Sequence, residues 1–216
     1  MAQSDFLDNV KKSFADVPID AANDNAIDTI AFLQASEEML KLVSAFGMGV
    51  DKVVGRDIKG NIDAVRDGCK RNPLHAATLQ ELYAADAVVR EKLMWLMRGL
   101  RFVYYALKHD IADQSQKSLA EDKQQLLAAF TESYNKVLAP HHSTLVRYTA
   151  STTLKLTLPT AKSFYNTISP SKSLDETRES LKPWVEGLGR IVEIMLPVAE
   201  PSSPEYKAKA KAMAGK

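Results

Sequence analysis

Apolar residues recur at helical spacing along most of the chain. From Ile27 to Phe46 they are separated by mixed steps of three and four residues, and glycines at 47 and 49 end the run. Steps of this length place apolar side chains on one face of an α-helix. The same spacing predicts further helices over about 52–69, 91–111, 119–138 and 142–158. The pattern therefore indicates a mainly helical chain.

Local signals mark where some of these helices begin and end. Thr78 is followed three residues later by Glu81, which is the spacing of a helix N-terminal capping box. Ser173 and Glu176 have the same spacing and predict a helix to about residue 196. Pro183 lies inside that segment, so we expect it to kink or break the helix. The Thr-rich stretch at 142–158 is also compatible with a strand.

Signals for β-structure are otherwise sparse. Glycine and proline, nine of each, are too few for a turn-dense β-sandwich, and no repeat of 20–50 residues is present. Residues 1–27 are polar and predict one short helix plus a connection, with the main structure starting near Ala26. We predict an all-α, single-domain protein of about eight helices. The domain spans residues 1–200 with its core at about 26–198, and a disordered basic tail follows at 201–216.

Charge and composition exclude several classes of function. The chain has 28 Lys+Arg against 27 Asp+Glu, so it offers no basic surplus for a nucleic acid. The single Cys69 cannot form an internal disulfide, and the N-terminus has no apolar signal core, so we expect a cytoplasmic protein. The longest apolar run, 102–107, is too short to cross a membrane.

Searches for catalytic motifs find none. The sequence contains no GxSxG, GxGxxG, GxxxxGK[ST] or HExxH pattern, and we predict no enzyme activity, no cofactor and no metal site. His141 and His142 follow Pro140, but adjacent helical residues point to different sides and are poor joint metal ligands. A hydrolase that uses Asp57 and His142 as a general acid–base pair remains an alternative, although no nucleophile accompanies them.

Two constellations are compatible with a polar ligand beside an apolar surface, although helical spacing alone favours an ordinary structural role for each. Asp57 and Asn61 lie four residues apart on one helix face, where the alternative is an ordinary solvated surface. Gly99 follows Trp95 by one turn and leaves room beside an indole that could stack on a sugar, where the alternative is a core tryptophan.

Three segments together resemble one family. The DIKGNI run at 57–62, the LMWLMRGLRF run at 93–102 and the LAPHHSTLV run at 138–146 are similar to motifs of the glycolipid transfer protein family, in the same order. The resemblance covers about residues 12–160 and is strongest to the fungal heterokaryon-incompatibility members. It implies a two-layer helical sandwich that carries one glycosphingolipid, such as glucosyl-, galactosyl- or lactosylceramide, between membranes. The protein would act as a monomer that is transiently peripheral on a membrane surface.

The resemblance also implies a role for each site residue. Asp57 and Asn61 would bind the first sugar and the ceramide amide region, Trp95 would lie under the sugar ring, and His142 would accept the ceramide amide N–H. Two family features differ in this chain, because Ala64 replaces a lysine and Thr144 replaces a tryptophan that rests in the membrane interface. The membrane anchor must then lie elsewhere, and Trp184 is a candidate. Alternatives are a glycolipid sensor in heterokaryon incompatibility, a ceramide-1-phosphate carrier, or a helical protein without a ligand.

Overall fold

The computed structural model describes residues 6–46, 51–112 and 119–201. The α-helices in these ranges are α1 (Phe6–Asn9), α2 (Thr29–Ser44), α3 (Arg56–Arg71), α4 (Leu79–Ala85), α5 (Ala87–Ala112), α6 (Leu119–Val137), α7 (Thr144–Thr157), α8 (Ala161–Ile168) and α9 (Leu174–Ala199). Single turns of other helix types lie at Phe14–Asp16, Asp51–Gly55, Pro73–His75 and Ala139–His141. The predicted all-α class is confirmed as a two-layer helical sandwich. The proposed basic tail, from residue 202 onward, lies outside the described residues.

Helix α5 is the centre of this architecture and packs against α3, α6 and α9. Its sequence predicts two apolar stripes, and members of both stripes are buried: Leu93, Leu96, Leu100, Val103 and Leu107 in one, and Phe102 and Ala106 in the other. A helix that is apolar on two sides must be covered on two sides. None of the helices in the described ranges combines the length and the apolar character that crossing a bilayer requires.

Helix α9 runs unbroken through two prolines. Ser173 and Glu176 form the predicted capping box, and the helix continues through Pro183 and Pro197 to Ala199. Of the predicted kink or break at Pro183, the break does not occur. Each proline removes one backbone hydrogen bond, but the helix is buried along most of its length, and this packing offsets the loss.

The N-terminal segment belongs to the core, contrary to the predicted start of structure near Ala26. Phe14 is buried and meets the Trp184 ring edge-to-face, with ring centroids 5.2 Å apart. Its turn lies so close to α9 that a Cβ atom at Gly187 would be 2.3 Å from the backbone nitrogen of Ala15. Glycine at 187 is therefore what allows the segment to seat on α9.

A small β-hairpin, absent from the prediction, follows this segment. Strands β1 (Ile19–Asp20) and β2 (Ala26–Ile27) pair antiparallel. Asp24 and Asn25 in the connecting turn have φ values of 47° and 55°, which Asp and Asn tolerate better than most residues. Strands of two residues are too short to show an alternating pattern, so the sequence does not reveal them.

Helices α7 and α8 differ in how well the sequence predicts them. The Thr-rich segment is helical from Thr144 to Thr157, which settles the choice between helix and strand. Helix α8 was not predicted, because it is only eight residues long and lies between Pro159 and the next clear start signal. It nevertheless buries Phe164 and Tyr165 completely.

A buried polar cluster connects α8 to the far end of α5 and to α9. The Tyr165 hydroxyl donates to Asp110 Oδ2 at 2.5 Å, and Arg178 Nη2 lies 3.4 Å from the same oxygen. Asp110 is fully buried, so its charge depends on these partners. Burial and the neighbouring Asp110 carboxylate hold the pKa of Tyr165 well above its usual value, so the phenol stays protonated and donates.

We predict that Tyr165→Phe lowers the free energy of unfolding by about 1.5–3 kcal/mol, because a hydrogen bond to a buried charge is lost. Urea unfolding at neutral pH measures the change. Tyr148→Phe is the matched control, because Tyr148 is 74% exposed. A loss at residue 165 below about 0.5 kcal/mol would show that the hydroxyl does not support Asp110.

Candidate functional site

Asp57 and Asn61 form the predicted pair on one face of α3. Asn61 Nδ2 donates to Asp57 Oδ2 at 3.3 Å, and Asn61 is buried while Asp57 is exposed at the rim. The carboxylate only accepts hydrogen bonds, whereas the amide both donates and accepts. The pair therefore presents acceptors to solvent from a position that the helix fixes.

Trp95 lies on α5 and contacts both histidines. Its ring is nearly parallel to that of His142, with centroids 6.0 Å apart and an interplanar angle of 16°, and it meets His141 edge-on at 6.2 Å. The guanidinium of Arg98, one turn further along α5, lies over the indole at 4.6 Å from the ring centroid. Trp95 is only half-buried, so part of the indole stays accessible.

His142 lies before α7 and not inside the helix that the sequence predicted from this residue. Its backbone is extended, with φ −104° and ψ 142°, and Ser143 caps the helix that begins at Thr144. Arg147 Nε donates to the His142 carbonyl oxygen at 2.9 Å. The backbone of His142 is fixed by hydrogen bonds at its N–H and at its carbonyl oxygen. In this extended conformation its ring can point away from the axis of α7 and toward Trp95.

Tyr134 on α6 contacts the His142 ring, although no sequence motif indicates it. The Tyr134 hydroxyl and His142 Nδ1 are 3.0 Å apart, and Tyr134 is buried. Burial raises the pKa of Tyr134, so the phenol remains neutral. The eight-residue separation carries no recognised motif, because the two residues meet only where the chain turns between α6 and α7.

Asp57 and His142 influence each other's charge. Partial desolvation raises the pKa of Asp57, and nearby Lys92 and His142 oppose this shift. Desolvation lowers the pKa of His142, and the Asp57 carboxylate opposes that shift. Desolvation also lowers the pKa of His141. At neutral pH both imidazoles are therefore neutral, and His142 can accept one hydrogen bond.

Lys92 brings a positive charge close to Asp57, although position 64 carries no lysine. It lies one turn before Trp95 on α5, is half-buried and lowers the pKa of Asp57. Arg66, two residues after Ala64, is instead held by Glu37 at 2.6 Å and by Asp63 at 3.3 Å. The structure thus places a lysine at the site from a different helix, which sequence spacing alone did not indicate.

The interior below these residues is aromatic. Phe102 lies two turns after Trp95 on α5, and Phe130 lies one turn before Tyr134 on α6. Their rings meet at 5.5 Å, and Phe130 contacts Phe46 at 4.8 Å, which in turn stacks on Phe164 at 4.4 Å. An apolar interior therefore begins directly beneath the polar rim, and aromatic side chains fill it.

Two surface observations concern the membrane anchor. Trp184 is buried against Phe6 and Phe14, so it cannot be the candidate anchor that the sequence suggested. Helix α7 buries only Leu154 among its residues, and it exposes 74% of Leu145 and 76% of Leu156. Leu145, Tyr148 and Leu156 follow steps of three and eight residues, which place them on one helix face.

Comparison with known proteins identifies the same family that the three sequence motifs resemble. The family model for glycolipid transfer protein (GLTP) matches residues 27–170. A glycolipid transfer protein from Aureobasidium melanogenum is 29% identical over 195 residues, which cover 88% of this chain and 90% of the relative.

Two solved structures are also similar. HET-C2, described as a fungal glycolipid transfer protein, is 32% identical with a TM-score of 0.80, and the match covers 92% of this chain and 98% of that one. Mouse ceramide-1-phosphate transfer protein matches with a TM-score of 0.75 at 16% identity, over 91% of this chain and 97% of that one, so it shares the fold. On the family match and the full-length similarity to HET-C2, the chain belongs to the glycolipid transfer protein family.

Proposed function

We propose that this protein is a glycolipid carrier that takes one glycosphingolipid from a membrane and releases it into another. The observation that carries the proposal is the meeting of Asp57, Asn61, Trp95 and His142 at one rim above an aromatic interior. The family membership and the similarity to fungal glycolipid transfer proteins support it. Residues 1–200 would form one carrier domain, and a single chain supplies all four residues.

The sugar head would bind where stacking and hydrogen bonding coincide. An indole face favours the C–H face of a sugar ring, and a carboxylate and an amide can bind neighbouring hydroxyl groups. Glucosyl-, galactosyl- and lactosylceramide all present such a first sugar. Asn61 and Trp95 are neutral, which favours a sugar over the phosphate of ceramide-1-phosphate, although Lys92 adds one cation at the edge of the site.

The proposed role of His142 requires one particular tautomer. If Nε2 accepts the ceramide amide N–H, then Nδ1 must carry the proton and donate it to the Tyr134 oxygen, 3.0 Å away. The opposite arrangement, in which Tyr134 donates to Nδ1, would make Nε2 a donor that faces another donor. The proposal therefore requires that Tyr134 acts as the acceptor, and in that arrangement it is a positioning residue for His142.

The ceramide chains would enter the aromatic interior below the rim. Phe46, Phe102, Phe130 and Phe164 already pack there, so chain uptake must separate rings that now touch. Apolar chains can replace ring contacts with chain contacts, and this exchange leaves the buried area similar. The process forms and breaks no covalent bond, and the protein acts as a carrier and not as a catalyst.

Helix α7 would rest on the membrane during exchange. Its exposed stripe of Leu145, Tyr148 and Leu156 starts three residues after His142, so a membrane that contacts the stripe also meets the lipid site. Lys155 lies exposed beside the stripe and suits an anionic headgroup layer. This face would provide the anchor that Thr144 does not, and the protein would be cytoplasmic and transiently peripheral.

The main test measures transfer of fluorescent galactosylceramide between neutral vesicles, with ceramide-1-phosphate as the second cargo. We expect transfer of galactosylceramide only, and a loss of at least about tenfold in Asp57→Asn, because hydrogen bonds to a charged group contribute about 1.5–3 kcal/mol each. Transfer of ceramide-1-phosphate alone would contradict the sugar assignment. Binding of galactosylceramide without transfer would favour the sensor.

The matched control for Asp57→Asn is Asp67→Asn on the same helix, at an exposed position paired with Lys70. We expect unchanged transfer in this control. The folded-state pKa of Asp57 is raised, so its ionised form opposes folding above the unfolded-state pKa. Asp57→Asn should therefore unfold at an equal or higher urea concentration than the wild type at pH 7, and destabilisation would indicate a structural role.

Tyr134→Phe should slow galactosylceramide transfer about tenfold, because the protein loses the acceptor that holds the proton on His142 Nδ1. Nitrogen-15 NMR of the ring measures the tautomer directly. We expect Nδ1 to be protonated in the wild type and Nε2 to be protonated in the variant. A wild-type ring that already carries its proton on Nε2 would refute the proposed role of His142.

The double variant Leu145→Gln, Leu156→Gln should reduce vesicle transfer about tenfold, since apolar side chains no longer enter the membrane interface. Binding of a short-chain, micellar galactosylceramide should stay unchanged, which separates docking from lipid recognition. Leu74→Gln is the matched control, because Leu74 is 90% exposed but lies outside α7. Equal transfer by the double variant and this control would exclude α7 as the docking face.

A further inference from the structure

A buried ion cluster joins the C-terminal end of α9 to the lipid site. Glu200, the residue that follows α9, pairs through Oε1 with Arg98 Nε and through Oε2 with Arg101 Nη1, the latter at 2.7 Å. All three side chains are at least nine-tenths buried. Burial alone would raise the pKa of Glu200, but the two arginines lower it, so the carboxylate is ionised at neutral pH.

Arg98 connects this cluster to Trp95. Its guanidinium pairs with Glu200 and also lies over the indole, 4.6 Å from the ring centroid. A guanidinium stacks well on an aromatic face, and its ion pair with Glu200 fixes it there. Arg98 therefore covers part of the indole, and the His142 ring lies nearly parallel to it at 6.0 Å. A sugar ring can stack only on the part of Trp95 that these two side chains leave accessible.

His141 lies at the edge of the same cluster. Its Nε2 is 3.6 Å from Glu200 Oε1, and its ring meets Trp95 edge-on. Because His141 is neutral at neutral pH, the charged partners of Glu200 in this cluster are the two arginines. Trp95 is thus bounded by Arg98 over one face and by His141 at its edge, and both of these residues lie beside Glu200.

We propose that Glu200 is a positioning residue of the headgroup site: it holds Arg98 against Trp95, and this contact fixes the orientation of the indole on which the sugar stacks. This inference rests on the proposed glycolipid function for the identity of the ligand. The positioning of Trp95 itself can be measured without any lipid. The C-terminal end of α9 is therefore part of the recognition site, although it is more than 50 residues beyond His142 in sequence.

Acrylamide quenching of Trp95 fluorescence tests the positioning directly. The chain has two tryptophans, so a Trp184→Phe background leaves Trp95 as the only one. We expect Glu200→Gln to raise the quenching constant about twofold, because Arg98 leaves the indole and exposes more of it. Galactosylceramide transfer should fall about fivefold. Glu200→Asp keeps the charge and should restore part of both values.

Asp110→Asn is the matched control. It breaks a buried ion pair on the same two helices, but at the far end of α5, about 22 Å from Trp95 along the helix axis. This variant should be less stable than the wild type and yet leave the quenching of Trp95 unchanged. If Asp110→Asn increased quenching as much as Glu200→Gln, general loosening would explain both effects and the proposal would fail.

The outcomes separate this inference from the proposed function. If the wild type transfers galactosylceramide and Glu200→Gln matches it in both transfer and quenching, Glu200 has no positioning role. If the wild type transfers no lipid, the proposed function fails, while the quenching comparison still decides whether Glu200 positions Trp95. Should Glu200→Gln not fold, Arg98→Met, which leaves Glu200 paired with Arg101, gives the same comparison.

Discussion

Burial of helix α5 on two sides is the constraint on which the rest of the structure depends. A helix with two apolar stripes needs neighbours on both, and α3, α6 and α9 supply them. The buried Glu200 and Asp110 clusters each include a residue of this helix, with Arg98 near its middle and Asp110 near its C-terminal end. Trp95 lies in the first half of α5, so the packing that fixes α5 also fixes the proposed stacking surface for the sugar.

The site is assembled from segments that are distant in sequence and close around α5. Asp57 and Asn61 come from α3, His142 from the turn after α6, and Glu200 from the end of α9. Each segment contributes a different chemical group: α3 contributes hydrogen-bond acceptors, the turn after α6 a neutral imidazole, and the end of α9 a buried carboxylate. Because α3, α6 and α9 all pack on α5, the packing of the sandwich sets the relative placement of the residues of the proposed site.

The sequence could predict what is encoded in helical spacing, and it could not predict what arises where elements meet. The i, i+4 pair of Asp57 and Asn61 and the capping box of Ser173 are local, and the structure contains both. Tyr134, Lys92 and Glu200 approach the site only through tertiary packing, so no local pattern indicates them. The unbroken α9 shows the reverse case, in which packing overrides the local preference of proline.

The energetics of a carrier explain why the polar rim matters more than the apolar interior. Each methylene group gains about 0.8 kcal/mol on leaving water, whether it enters a bilayer or a protein. The chain contribution to exchange therefore nearly cancels, and the rings that already fill the interior keep the empty state stable. Selectivity then depends on the few hydrogen bonds and the stacking contact at the rim. A site with so few contacts depends strongly on rigid placement of its side chains. This is the physical basis of the proposal that the Glu200–Arg98 ion pair affects recognition without touching the lipid.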